Sequence, residues 1–337
     1  MKELFSSLYP QAIFVDYQPT PELIDYMRQQ GWIKEGETLL SVEKPGEGNM
    51  NFVVRVTTDQ QTFIVKQARP WVQKYPQVAA PIERVAVEAT FYQQISSDPV
   101  LQSFVPKLKG YDSANFTLAL EDLGAGGDFT HIYQKGQQLT LADLMILVKF
   151  ISRLHTVETI DFPANTAMKA LNHEHIFRFP FDDSTGFDLD TIQAGLMDTS
   201  LAYKRNPVLK ASIQELGEVY LETGNTLLHG DYYPGSWLKT AAGVNVIDLE
   251  FGFMGRAEFD VGIMLAHLIL AQNDDLIPPV LANYQKPPGF DESLMWGFAG
   301  VEILRRLLGL AQLPLTISLS EKKSLLEIAA TLVTRSQ

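Results

Sequence analysis

The chain has 337 residues, 46% of them hydrophobic, enough to bury a substantial core and more than one typical domain needs. Forty acidic against 27 basic side chains leave a net charge of −13, which disfavours general attraction to nucleic acid or an anionic membrane and favours a small-molecule partner. Cysteine is absent, removing disulfides and thiolate metal sites, and neither an apolar leader nor an apolar run approaching ~18 residues is present, so a cytoplasmic protein is expected.

In chain order, PTPELIDYMRQQGW (19–32) sets Leu23, Ile24 and Met27 at helical spacing and stops at Gly31, predicting an amphipathic helix. LLSVEK, FVVRVTT and TFIVKQA then read as strands in antiparallel hairpins, joined by PGEGNMN and TTDQQ. Pro81 opens a predicted helix, PIERVAVEATFYQQI, with Ile82, Val85, Ala89 and Tyr92 on one stripe. FTLALEDL is a further strand, and GAGGDF after it has the composition of a hinge. Beyond it come a long helix (140–158), an irregular and partly helical stretch (163–207) and another helix (207–223). Two short strands tipped with acid follow, LLHGDYYPGSWL and VNVIDLEFGF, and helices over 259–272, 297–313 and 320–334 complete the chain. The order predicts an α+β bilobal arrangement: a β-rich N-terminal lobe (1–120) and a large, mainly helical C-terminal lobe (121–337) holding an acidic hairpin.

The acid-tipped strands carry chemistry. Phosphoryl transfer from ATP needs a carboxylate near the attacking hydroxyl, acids to hold Mg²⁺ and a cation on the phosphates. Protein kinases write these parts as H-R-D-x-x-x-x-N followed by D-F-G. Here His229-Gly230-Asp231 is followed by Ser236 where the asparagine would stand, and Asp248-x-Glu250 comes next. Asp231 is therefore the candidate base, and Asp248, Glu250 and Ser236 are the hard oxygen ligands for Mg²⁺. As alternate strand residues, Asp248 and Glu250 would share a face. FIVK supplies Lys66 for the α and β phosphates, with Glu88 on the next helix as its partner, although Arg84 at i−4 competes for Glu88. Gly46 and Gly48 let backbone N–H groups approach phosphate. Glu121 and Leu123 occupy the place where a hinge main chain meets adenine. His229 and Asp260 read as structural supports of the loop, and the Tyr232-Tyr233 pair either packs the loop or lines the acceptor pocket.

At these residues the sequence resembles the aminoglycoside phosphotransferase and choline kinase superfamily, and within it the methylthioribose kinases. The resemblance rests on H-G-D-x-x-x-G-S, D-x-E-F, GEGNMNFV, IVKQA, FDVG and EILRRLLGLA, spread in that family's order over residues 43–310. It implies a kinase-like fold, ATP and Mg²⁺ as cofactors, Asn49 beside the phosphates, and Arg305 and Arg306 near a hydroxylated small-molecule acceptor. Successive helix residues point roughly 100° apart, so one functional and one structural arginine is the expectation from the helix alone. PWVQKYPQVAAPIER is shorter than the matching segment of that family and lacks its Trp-Pro motif, which keeps another alcohol of the choline, homoserine or aminoglycoside type as the alternative acceptor. Ser236 keeps open a nucleotide-binding module without catalysis, and the sequence leaves a homodimer open.

Overall fold

The structure of the chain, a computed structural model, describes residues 1–46, 48, 50–159 and 161–335. The chain divides into two compact units, residues 1–127 with 240–251 and residues 128–239 with 252–337. The division anticipated after residue 120 falls inside a strand, and the segment carrying Asp248 and Glu250 groups with the first unit.

The first unit opens with helices α1 (Lys2–Leu8) and α2 (Pro21–Gln29). Strands β1 (Leu39–Glu43), β2 (Phe52–Thr58) and β3 (Thr62–Gln67) follow, then α3 (Arg84–Gln94), the single turn α4 (Pro99–Gln102), β4 (Leu108–Asp112) and β5 (Thr117–Glu121). The strands form one antiparallel sheet in the order β1-β2-β3-β5-β4. Thr20 caps α2 by accepting from the Leu23 N–H, a contact of about 1 kcal/mol. Strict alternation along β2 buries Phe52, Val54 and Val56 in one cluster with Phe63 and Val65 of β3 and with Leu23, Met27 and Trp32. Because side chains alternate across a strand, that same register turns Lys66 to the opposite face of the sheet. Helix α3 starts at Arg84 rather than at Pro81, after a turn, and the expected stripe of Ile82, Val85, Ala89 and Tyr92 is buried.

The remaining elements are β6 (Gly126–Asp128), α5 (Leu141–Leu154), α6 (Thr166–His173), α7 (Leu196–Lys204), α8 (Pro207–Leu221), β7 (Thr226–Leu228), β8 (Trp237–Thr240), β9 (Gly243–Val246) and β10 (Phe253–Gly255). Helices α9 (Glu258–Leu270), α10 (Ile277–Asn283), α11 (Glu292–Leu308) and α12 (Leu319–Arg335) end the chain, and β9 belongs to the first unit. Every residue of α9 is buried. Gly262 lets α11 approach it closely, since a Cβ there would lie 2.6 Å from the Met295 carbonyl. The strand leading into Asp231 does not find its partner in an acid-bearing strand. Strand β7 pairs antiparallel with β10, which lies beyond the acids, and Leu249–Phe251 is a single turn of 3₁₀ helix. Among the described residues no helix is long and apolar enough to cross a membrane.

Candidate active site

In the first unit, the sheet face opposite the core presents Lys66, 6% exposed, to two carboxylates. Its Nζ donates to Glu88 Oε1 at 2.8 Å and to Asp248 Oδ1 at 2.6 Å. Burial alone would lower the lysine pKa. The charges of Asp248 and Glu88 reverse that and hold it well above its ordinary value, so Lys66 is a fixed cation. The pair expected between Lys66 and Glu88 is made, and the competing Arg84–Glu88 pair is not. Arg84, fully buried, takes Glu250 instead, with Nε 3.1 Å from Glu250 Oε2. The same Nε donates to Asn51 Oδ1 at 2.9 Å, and Asn51 Nδ2 donates to Glu250 Oε2 at 2.7 Å. The other guanidinium nitrogens donate to the carbonyls of Arg69, Pro81 and Met50. One arginine thus ties the end of the glycine loop, the exit of β3 and the start of α3 to Glu250.

Asp248 and Glu250 differ from the strand-alternation expectation. Asp248 sits at φ 64°, in the left-handed region that aspartate tolerates better than most residues, and Glu250 lies in the turn that follows. The backbone has left the extended conformation before the acids, so the two carboxylates face different surroundings. The Asp248 side chain is 39% exposed, whereas that of Glu250 is 2% exposed. Burial pushes Glu250 up to about 7, with Arg84 opposing and Glu88 adding to the rise. Among the described residues no group of three or more His, Asp or Glu side chains is arranged to hold a metal. Mg²⁺ commonly takes one or two carboxylates together with phosphate oxygens and water, and the half-exposed oxygens of Asp248 fit that requirement better than the engaged carboxylate of Glu250.

Gly46 is exposed with open space where a side chain would begin, whereas a Cβ on Gly48 would stand 3.1 Å from the Asn51 carbonyl. Asn49 lies outside the described residues. Glu121 ends β5 with its N–H donating to the Lys107 carbonyl at 2.8 Å, and Leu123, half-buried, follows it just before Gly124.

In the second unit, Asp231 follows β7 on a loop held by its own backbone. Gly230 takes φ 82°, and Asp260, in the first turn of α9, accepts the N–H groups of His229 and Gly230 at 2.7 and 2.9 Å. His229 Nδ1 accepts from the Asp231 N–H at 3.2 Å, so both residues read as loop supports take up that work. Ser236, 1% exposed, donates its hydroxyl to the Asp231 carbonyl at 2.8 Å and so closes the loop five residues on. Tyr232 is buried and donates to the Leu147 carbonyl, while Tyr233 lies under the Arg306 guanidinium, 4.7 Å from its ring centre.

Arg305 and Arg306 both approach Asp231, with Nη2 atoms 4.0 and 3.9 Å from Oδ1. Helix geometry alone led to the expectation that only one of the two would face such a site squarely, yet both side chains bend toward it. The reason is Glu302, one turn earlier, which receives the Nε of Arg305 on Oε2 and that of Arg306 on Oε1. Burial would raise the Glu302 carboxyl, but the two arginines and a bond from His267 hold it well below the ordinary range. Sequence reasoning passed over Glu302, although its i+3 and i+4 spacing to the arginines was a readable signal. It also passed over Asn51 and the Arg84–Glu250 pair, for which no local signal exists.

His267 gives a pH prediction. Burial, offset in part by its bond to Glu302, lowers its pKa to about 4, so the folded ring stays neutral while an unfolded histidine takes up a proton near pH ~6.5. Between those values the unfolded state binds more protons, so stability falls as pH falls through this window, by up to about 3 kcal/mol. Urea midpoints should therefore drop more steeply from pH 7 to pH 4.5 in the wild type than in His267→Asn. Parallel slopes would count against it.

The chain is similar to known phosphotransferases. A model of the phosphotransferase enzyme family (APH) matches residues 41–296. A methylthioribose kinase of Exiguobacterium sibiricum is 25% identical over 375 residues, covering 93% of this chain and 92% of that protein. Among solved structures, choline kinase LicA from Streptococcus pneumoniae gives a TM-score of 0.53 at 12% identity, over 93% of this chain and 98% of that one. A spectinomycin phosphotransferase solved with ADP and spectinomycin gives 0.51 at 11% identity, over 95% and 100%. At such identities the structures bear on fold, and they agree with an α+β, protein-kinase-like class for a β-rich first unit and a mainly helical second. With a family match running from β1 into α11, the chain belongs to the phosphotransferase enzyme family and is a small-molecule kinase.

Proposed function

We propose that the chain transfers the γ-phosphate of ATP, with Mg²⁺, to a hydroxyl of methylthioribose. The observation that carries the acceptor class is the pair of arginines turned together toward Asp231. Guanidinium forks suit vicinal hydroxyls and the charge that develops on a transferring phosphoryl group. The similarity to methylthioribose kinases selects the sugar.

In this reading Asp231 takes the proton of the attacking hydroxyl. That oxygen bonds to the γ-phosphorus as the bond from phosphorus to the bridging oxygen of ADP breaks. Lys66, kept charged and aimed by Glu88, neutralises the α and β phosphates. Main-chain N–H groups at Gly46 and Gly48 meet phosphate oxygens, and Glu121 and Leu123 meet the adenine edge. Mg²⁺, when bound, would offset negative charge on the transferring phosphates. Asp248 would be its carboxylate ligand, with Glu250 or a water as a further donor. Tyr233 supports the Arg306 guanidinium from below.

The test is ADP release measured with methylthioribose, other pentoses, choline, homoserine and aminoglycosides. The highest kcat/KM is expected for methylthioribose. Turnover of choline or an aminoglycoside with none on any sugar would overturn the acceptor while leaving the phosphotransferase intact.

A further inference from the structure

Glu302 lies at the centre of α11 with no exposure, and three side chains meet on its carboxylate. Arg305 donates Nε to Oε2, Arg306 donates Nε to Oε1 at 2.7 Å, and His267 Nε2 lies 2.9 Å from that same Oε1. Behind His267, its Nδ1 lies 2.6 Å from the hydroxyl of Tyr133, which is 3% exposed. A neutral imidazole carries one N–H, and an ionised carboxylate only accepts. The protons are therefore assigned: Tyr133 donates to His267 Nδ1, and His267 Nε2–H donates to Glu302. Using the Nε edge of each arginine leaves the Nη edge to turn toward Asp231, which is where both Nη2 atoms lie. A third bond, from Arg306 Nη1 to the Ala311 carbonyl at 3.3 Å, fixes the rotation of that fork.

We infer that Glu302, backed by His267 and Tyr133, is the positioning group of the acceptor site, setting which edge of Arg305 and Arg306 is offered to the acceptor at Asp231. Glu302 touches neither substrate and acts through the two arginines. The inference rests on the phosphotransferase reading with Asp231 as its base. A buried carboxylate present only to neutralise two cations would stabilise the fold without favouring one substrate over the other, so the two roles separate in kinetics.

The test compares wild type, Glu302→Gln and Tyr133→Phe. Tyr133→Phe removes one hydroxyl and no charge, and it carries the test if Glu302→Gln does not fold. The acceptor KM should rise roughly 10-fold in Glu302→Gln and roughly 3-fold in Tyr133→Phe, while the ATP KM changes less than about two-fold. An ATP KM that rises as much as the acceptor KM, or an unchanged acceptor KM in folded Glu302→Gln, overturns the positioning role. A second arm needs no acceptor: phenylglyoxal adducts at Arg305 and Arg306, counted by mass spectrometry, should form faster in both variants than in wild type. Equal adduct rates overturn the inference. A wild type that turns over no acceptor refutes the functional reading instead, and the adduct arm still decides the positioning role.

Discussion

Asp231→Asn is expected to lower kcat by about 100-fold or more while ATP affinity stays within about two-fold. Three features of the loop make this a clean experiment. Its shape is set by main-chain bonds to Asp260, by the left-handed Gly230 and by the Ser236 hydroxyl on the Asp231 carbonyl, none of which uses the Asp231 carboxylate. Asparagine matches aspartate in size, so the side chain still fits between the loop and the arginines. Arg305 and Arg306 keep their counter-charge on Glu302. What is removed is the carboxylate oxygen proposed to take the hydroxyl proton. Single-turnover rates at saturating acceptor, with ATP binding followed by calorimetry, separate chemistry from affinity. Turnover near the wild-type rate would show that Asp231 is not the base.

The second large effect is expected at Asp248. Asp248→Asn should weaken Mg²⁺-dependent ATP binding by about 10-fold or more, because the charged group proposed as metal ligand becomes a neutral one. Asparagine is the informative choice because it too tolerates positive φ, whereas alanine at φ 64° would add strain of about 1 kcal/mol or more. Lys66 would retain Glu88 at 2.8 Å, so the lysine side of the site survives the change. Titrating ATP with and without Mg²⁺ gives the readout. If the gain in ATP affinity on adding Mg²⁺ is the same in both proteins, the metal is held elsewhere.

How far each part was legible depends on how far apart its residues lie in the chain. The strand lysine and its helix partner were readable because alternation along β3 and helical spacing along α3 are local rules, and the Lys66–Glu88 bond joins two such elements. The support of the loop by Asp260 was anticipated from its place at the start of a helix. The backbone at Asp248 was misread. V-I-D-L-E-F alternates like a strand, yet β9 ends at Val246 and a turn carries the acids. Alternation reports which residues are buried, and a 3₁₀ turn with one left-handed residue buries Leu249 and Glu250 just as well.

The arginine pair shows the division most clearly. Sequence alone placed Arg305 and Arg306 on one helix, and placed an H-G-D loop before two acids, because helix pitch, capping and turn chemistry act within a few residues. That was sufficient for fold class, family resemblance and a short set of candidates. Only the tertiary structure decided that both arginines reach Asp231, that Arg84 joins Glu250 and Asn51 rather than Glu88, and that His267 and Tyr133 stand behind Glu302. Each of those depends on burial, which strengthens a charge's need for a partner while leaving the partner's place in the chain unspecified.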